Sequence, residues 1–345
     1  MTPSFFIRLC DGKIILWDYI LHSQYELDIK HFRRILELTK GAQLKDDPID
    51  TTIKQSRILE HTEGDEWGWD ILSRIFHKGT QIRLDSSVEI PIHDSYAGYI
   101  EYCKSILDSV PDFFPKREGK TIQLPPPDLS TIRNANLIET LLDRATTRNF
   151  NAEPLTLEQM SAAMWTCFGA IHGKTRNDLE TLGMMPIGLR KTSPSGGSIH
   201  PSEAYIVALR VIGLEKGIYH YRPDEHAITK ISEFEDKDKL GSLLANQHFA
   251  NDVAYGVFIT SRFDKMWWKY KHSRAYRVAL LDIGCLIQTF QLVNTAMGVA
   301  SWPTGYFIDS EINKLLDVNE ERESVMFFLG AGRGSGPIAA ELLSK

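Results

Sequence analysis

Cysteine is scarce in this chain. The four present, Cys10, Cys103, Cys167 and Cys285, lie far apart with no C-x-x-C pair. This spacing argues against a zinc ribbon, an iron–sulfur cluster or a disulfide framework, and reads as free thiols in a reducing cytoplasm. Basic runs and acidic tails are missing as well: 39 Lys+Arg are interspersed with 45 Asp+Glu for a net charge of −6. Neither a nucleic-acid nor a membrane-surface footprint is present. No run of about eighteen apolar residues occurs, and the N-terminus "MTPSFFIRLCDGK" lacks a basic segment leading into one, so neither secretion nor membrane spanning is expected. What is there is ordinary globular composition, 43% hydrophobic and 24% charged, over 345 residues. That length is a prior for two domains, and small molecules or peptides become the default partners.

Local patterns give the organisation. "FFIRLCDGKIILWDY" holds two β-rich runs joined by Asp11-Gly12, a dipeptide suited to the positive φ angles of a type I′ hairpin. In "LDIKHFRRILELTKG", Asp28 caps a helix, Phe32, Ile35 and Leu36 follow helical spacing, and Gly41 suits the C′ position. "LTKGAQL" (38–44) is echoed by "FHKGTQI" (76–82), which predicts two small helix-plus-strand units of winged-helix type. The segment ending in Pro125, Pro126 and Pro127 reads as an extended linker, because consecutive prolines continue neither a helix nor a central strand. The expected division is therefore an N-terminal peptide- or partner-binding domain over 1–120, a linker over 121–135 and a second domain over 136–345.

Within the second domain, "NANLIETLLDRATTRNF" predicts an amphipathic helix running into a polar turn. A further helix starts where Thr156 and Gln159 stand in capping-box register. "EAYIVALRVI" reads as a buried strand, and "GIYHYRPDEHAITKI" as two strands across Pro223-Asp224. "RAYRVALLDIGCLIQTFQLVNTAMGVA" is apolar on two faces and predicts a helix buried all round. "GVASWPTGYF" and "ESVMFFLGAGRGSG" read as a turn and a core strand. The class is α+β, helices on a mostly antiparallel sheet.

Residues 191–205, "KTSPSGGSIHPSEAY", hold the densest chemistry. A serine nucleophile on an α/β elbow needs G-x-S-x-G, which is absent, and triad members usually come from separate segments. A metal at His200 and Glu203 would need a third ligand, and no other cluster at zinc spacing stands out, so no metal is expected. Ser195, Gly196, Gly197 and Ser198 offer hydroxyls and bare backbone N–H groups, which suit either a cofactor cradle or a plain turn before a strand. "RATTRNF" places Arg144, Thr146 and Arg148 at alternate positions, where two guanidinium forks and a hydroxyl could converge on a phosphate or simply be solvated. "GAGRGSG" carries Ser335 where a dinucleotide motif needs its third glycine, and no βαβ unit follows. Arg333 is left as a third phosphate contact.

Taken together, these segments resemble the nitroreductase-like flavoprotein superfamily and, within it, the SagB-type dehydrogenases of thiazole/oxazole-modified peptide biosynthesis. "RATTRNF" is similar to R-x-S-x-[RK]-x-F, "SPSGGSIHPSEAY" to P-S-x-G-x-x-H-P-x-E, and "WWKYKHSRAYRVALLDIGCLIQ" to the W-K-Y-x-x-R-A-Y-R helix entry. The resemblance covers residues 140–335 and implies a nitroreductase-like fold with FMN at a homodimer interface. It assigns Arg144, Thr146 and Arg148 to phosphate and ribityl oxygens, and Pro194, Ser195, Gly197 and Ser198 to ring and ribityl chain. Thr304 and Gly305 fall beside the reactive ring edge, and Arg333 returns to the phosphate. Lys269 and Tyr270 match the SagB-type catalytic Lys-Tyr pair. A lysine base requires a pKa brought from about 10.4 toward neutrality, which burial or Arg262, Arg274 or Arg277 would favour. Two departures stand out: Thr146 replaces the usual serine, and Asp282 and Cys285 occupy positions that are often Glu and His.

The resemblance implies an FMN-dependent dehydrogenase converting thiazoline or oxazoline rings of a peptide to thiazole or oxazole, alongside a cyclodehydratase or peptide synthetase partner. Its alternatives are a nicotinamide-dependent nitro or quinone reductase, and a non-catalytic peptide-binding scaffold with a vestigial flavin site.

Overall fold

The computed structural model describes residues 4–60, 67–82, 96–173, 179, 181, 189–234 and 239–335. The chain divides into two compact units, 1–94 with 272–274, and 95–271 with 275–345.

The first unit opens with an antiparallel meander of β1 (Phe5–Cys10), β2 (Lys13–Asp18) and β3 (Ser23–Leu27). Asp11 and Gly12 turn the first hairpin with φ of 51° and 74°, as the sequence predicts. Three helices follow: α1 (Ile29–Thr39), α2 (Pro48–Ser56) and α3 (Ile71–Gly79). Asp28 caps α1 by accepting the His31 N–H at 2.8 Å, and Gly41 beyond its end has φ of 94°. Leu16, Ile35, Ile53 and Ile58 form the core. The strands precede the helices. Extended runs were expected to follow the two Lys-Gly dipeptides, but residues 42–47 and 80–82 form no strand.

The second unit begins with α4 (Tyr96–Ser105), β4 (Thr121–Gln123), α5 (Ser130–Asn134) and α6 (Leu137–Asp143). It continues through β5 (Leu155–Thr156), α7 (Leu157–Phe168), β6 (Ser202–Ala208), β7 (Val211–Ile212), β8 (Gly217–Arg222) and β9 (Ala227–Ser232). After α8 (Lys239–Leu243) come β10 (Tyr255–Arg262), α9 (Phe263–Lys269) and α10 (Arg274–Ala296). The last elements are β11 (Ala300–Thr304), α11 (Asp309–Leu316) and β12 (Glu323–Gly332). Seven strands pair antiparallel in the order β11-β12-β10-β6-β8-β9-β4. Both faces of this sheet are covered. Ala204, Ile206 and Ala208 of β6 pack with α7 and α10, while Tyr205 and Val207 point into the layer holding Leu240 and Ile312. The α+β class expected from the sequence holds.

Three expectations are corrected by tertiary context. The proline segment does not separate the units: β4 pairs with β9, Leu124 is buried, and the Pro125 carbonyl accepts from Ser161 Oγ at 2.6 Å. Residues 96–125, expected in the N-terminal domain and linker, therefore belong to the second unit, with the contact boundary at 94/95. "SWPT" is an edge strand rather than a turn, and Pro303 is tolerated there because an edge needs no inward N–H at every position. Helix α10 is buried along Ala279, Asp282, Ile283, Leu286 and Phe290, yet leaves Leu280 and Leu281 exposed. It is also long and apolar enough, by length and composition, to cross a membrane.

In the first unit Asp50 is buried, accepting from Arg34 Nε at 2.7 Å, Arg34 Nη2 at 2.6 Å and the Lys45 N–H at 2.6 Å. The Arg34 hydrogen bonds, opposed by burial, hold its carboxyl down from 3.8 to about 2. The depressed value belongs to the folded state, so the pair stabilises fully above the unfolded value and its contribution is lost as pH falls through about 2. The stability difference between wild type and Asp50→Asn, from urea unfolding, should therefore be constant above about pH 5 and narrow between about pH 4 and pH 2.

Candidate functional site

Two groups of the expected residues assemble, each around its own elements. The first follows α6, which Asn136 caps by accepting the Ile138 N–H at 2.9 Å and the Glu139 N–H at 3.3 Å. Beyond Asp143 the chain extends: Thr146 bridges Ser301 of β11, the Thr147 N–H donates to the Ser301 carbonyl at 3.0 Å, and Phe150 bridges Gly334. The Asn151 N–H donates to the Arg333 carbonyl at 3.1 Å. In an extended chain alternate residues share a side, so buried Thr147 faces inward while Arg144, Thr146 and Arg148 share the other side. Among the described residues neither Arg144 nor Arg148 has an acidic partner. Among the described residues the Arg333 side chain reaches only Gln159 Oε1, at 3.5 Å. Three cationic forks without countercharge beside a hydroxyl are a donor set that fits a phosphate monoester. At the far end of β11, Thr304 Oγ1 accepts the Tyr306 N–H at 3.1 Å, and Gly305 leaves room for the Phe327 ring, 3.1 Å from where a Cβ would stand.

The second group is built on α10. Val278, Asp282, Cys285 and Thr289 recur at helical spacing along one stripe, and the Ser193–Ser198 turn lies on it. Ser193 Oγ meets Thr289 Oγ1 at 2.7 Å. Ser195 Oγ donates to Asp282 Oδ2 at 2.5 Å, and the Gly196 N–H donates to Asp282 Oδ1 at 3.1 Å. Ser195 Oγ in turn accepts the His200 N–H at 2.8 Å, so its proton is committed inward and toward a ligand it offers only acceptor capacity. Burial raises the Asp282 carboxyl above its ordinary value, opposed by the two donors from the turn. Pro194 and Ser198 are exposed at the rim.

The Lys-Tyr pair closes on this turn. Lys269 Nζ donates to the Gly197 carbonyl at 3.3 Å, and Gly197 has φ of 61°. A Cβ at Gly197 would overlap the Tyr270 hydroxyl and stand 3.1 Å from Lys269 Nζ. Burial pushes the Tyr270 phenol up to about 12, opposed by Lys269, so it stays a neutral hydrogen-bonding group at physiological pH. Of the arginines expected to surround the lysine, Arg262 is paired with Asp264 at 2.7 Å.

His200 and Glu203 lie in a cluster of buried charged groups. Glu203 is buried between Lys265 and His220 Nε2, the latter at 3.3 Å. Against the opposing effect of burial, these partners hold its carboxyl well below the usual range. Burial, with Lys191 and Lys265 adding, pushes His200 down to about 3. Lys191 itself is brought down to about 8 by burial, against Glu203 and with Lys265. These groups line a cavity of about 10 Å³, room for about one water. Sequence reasoning missed the supporting role of Asp282, the Glu203–Lys265 pair, and Tyr99 and Tyr102, which also stand at Lys269. Only the 278/282/285/289 spacing was available as a signal.

A family model described as the nitroreductase family matches residues 141–333. "Putative nitroreductase MJ1384" of Methanocaldococcus jannaschii is 27% identical over 202 residues, 59% of this chain and 93% of that protein. The trifolitoxin-processing protein TfxB of Rhizobium leguminosarum bv. trifolii is 28% identical over 154 residues, 43% of this chain and 41% of its own. The microcin B17-processing protein McbC of Escherichia coli is 27% identical over 146 residues, 39% of this chain and 51% of its own. The matched region spans at most about half of each processing protein.

Gly197→Ala should destabilise the protein by about 1–2 kcal/mol from left-handed backbone alone, and more if the Tyr270 hydroxyl cannot move. Urea unfolding checks this, with Ser198→Ala as the control: Ser198 already carries a Cβ at φ of 58° and its replacement should shift stability far less.

Proposed function

The chain belongs to the nitroreductase family, and from that membership we propose that it is an FMN-dependent dehydrogenase oxidising thiazoline or oxazoline rings of a peptide to thiazole or oxazole. The observation that carries this reading is the convergence of Lys269 Nζ and the Tyr270 hydroxyl on the Gly197 turn. An ordinary flavin reductase has no need of a lysine base there. Two relatives named for processing trifolitoxin and microcin B17 point toward a peptide substrate.

Arg144, Arg148 and Arg333 would neutralise the FMN phosphate, with the Thr146 hydroxyl beside them, and the Pro194–Ser198 turn and Thr304–Gly305 would line the rest of the cofactor. Aromatising an azoline removes two hydrogens: one leaves as a proton, and the other leaves with the electron pair, which FMN supplies the capacity to accept when bound. Lys269 acts as the base that takes the proton from the ring carbon, and the Gly197 carbonyl fixes its amine. Tyr270 stays protonated and orients the ring. Asp282 holds the turn in shape without touching the reacting atoms. The proton passes from Lys269 to solvent, and FMN, when bound, would supply the route by which the electron pair reaches dioxygen, which with two protons would leave as hydrogen peroxide.

We assign the first unit to binding the peptide or a cyclodehydratase or peptide synthetase partner, in the reducing cytoplasm that free thiols suit. We also propose a homodimer. Leu137 and Leu142 of α6 are 69% and 72% exposed, and Leu281 of α10 is 69% exposed, which is costly for a monomer unless a second copy covers them. The second reading, a nicotinamide-dependent nitroreductase, is favoured by the relative that is matched over 93% of its length.

Purified protein should be yellow with FMN, and an azoline peptide should lose about 2 Da per ring, its two hydrogens, with wild type but not with Lys269→Ala. Protein that never takes up FMN on reconstitution would sink both readings; NADPH-driven flavin reduction without azoline oxidation would establish the second. By light scattering, wild type should have twice the monomer mass and the double variant Leu142→Glu/Leu281→Glu the monomer mass. A monomeric wild type would refute the dimer.

A further inference from the structure

Helix α4 lies upstream of the family-matched segment, yet it supplies two side chains to the Lys-Tyr pair. The Tyr102 hydroxyl donates to the Lys269 carbonyl at 2.5 Å. The Tyr99 ring lies 5.5 Å from Lys269 Nζ, and the Tyr270 ring lies 5.8 Å from the same nitrogen. The Tyr99 and Tyr270 hydroxyls are hydrogen-bonded. Lys269 Nζ is thus bounded by two aromatic rings and, through its hydrogen bond, by the Gly197 carbonyl. An amine on four rotatable bonds samples many rotamers unless its surroundings restrict it. Aromatic rings beside it restrict those rotamers and hold the nitrogen by cation–π attraction whenever it carries a proton.

The anchoring of α9 supports the same role. Trp268 Nε1 donates to the Ile106 carbonyl at 2.9 Å, the Phe113 ring packs edge-on against Trp268 at 6.0 Å, and Lys265 Nζ donates to the Phe113 carbonyl at 3.0 Å. Helix α9 therefore meets α4 and the segment after it at every turn down to its last residue. Burial pushes the Tyr99 phenol up to about 12, with Cys103 adding, so it stays a neutral hydroxyl in this contact.

We propose that Tyr99 and Tyr102 are positioning residues that fix the Lys269 amine and the Tyr270 hydroxyl at the Gly197 turn. The site is then completed by chain outside the family domain. The catalytic importance of the contact rests on the reading of Lys269 and Tyr270 given above, whereas the contact itself does not.

The test uses full-length protein reconstituted with FMN, an azoline peptide, and three variants: Tyr99→Leu, Tyr99→Phe and Tyr102→Phe. For Tyr99→Leu, kcat should fall by about tenfold, short of the roughly 10²-fold that misplaced reacting groups can cost, with KM within about twofold. Tyr99→Phe keeps the ring and should recover part of that loss. Independently of turnover, reductive methylation of Lys269, followed by peptide mass spectrometry on substrate-free protein, should be several-fold faster in Tyr99→Leu and in Tyr102→Phe than in wild type. Unchanged methylation rates in both variants would overturn the proposal, as would a fall in kcat for Tyr99→Leu that Tyr99→Phe does not lessen at all. If wild type fails to oxidise azolines, the functional reading falls and the methylation rates alone decide the positioning role.

Discussion

The carboxylate of Asp282 is largely removed from water on a helix whose buried stripe also carries Ala279, Leu286 and Phe290, and it accepts both the Ser195 hydroxyl and the Gly196 N–H. A carboxylate in that position is costly unless satisfied, and the donors that satisfy it belong to the turn. The turn is thus tied to a helix that cannot easily shift, because Ile283, Leu286 and Phe290 of the same helix are part of the main core. Gly197 inherits that rigidity, and its carbonyl passes it to the lysine amine. Packing in the core, a buried charge and the geometry of a candidate reaction centre form one continuous chain of constraints.

The two lysines of α9 show how local environment separates roles. Lys265 and Lys269 are one turn apart. Lys265 is buried against Glu203 and the Phe113 carbonyl, while Lys269, at the helix end, meets a backbone carbonyl and aromatic rings. Removing one member of the buried pair would strand its partner's charge, which makes that pair an anchor rather than a reactive group. Among the described residues Lys269 forms no ion pair with a carboxylate. The helix therefore carries one lysine that fixes its position and one, Lys269, to which the proposal above gives the base's role.

Features governed by neighbours within a turn or two were legible in the sequence. These include the Asp11-Gly12 hairpin, the Asp28 cap, the Thr156–Gln159 capping box and the turn between β8 and β9. Motif order singled out the strip from Arg144 to Arg148 and the Lys-Tyr pair, whose roles are the proposal made above. The rest was set by distant partners. A proline run reads as a linker until β9 supplies an edge for Thr121–Gln123 to pair with, and "SWPT" reads as a turn until β12 does the same. Leu280 and Leu281 fit an all-buried helix by periodicity, and only the sheet decides which face is covered. Tyr99 lies 170 positions before Lys269, a separation at which residue pattern carries no information about contact.

The wrap of residues 96–125 has a consequence for what counts as the heritable module. Pro125 is gripped by Ser161, a bond that also involves His226 at 2.8 Å from the serine oxygen, and Arg117 donates to the Leu316 carbonyl at 2.8 Å. A gene fragment trimmed to the family boundary would leave β9 with an unpaired edge, an invitation to intermolecular strand pairing. Recombination that exchanged the N-terminal unit would be tolerated only at a junction near residue 95. Any lineage carrying this arrangement would have to pass the α4-to-β4 segment down together with the nitroreductase-family domain, not with the module in front of it.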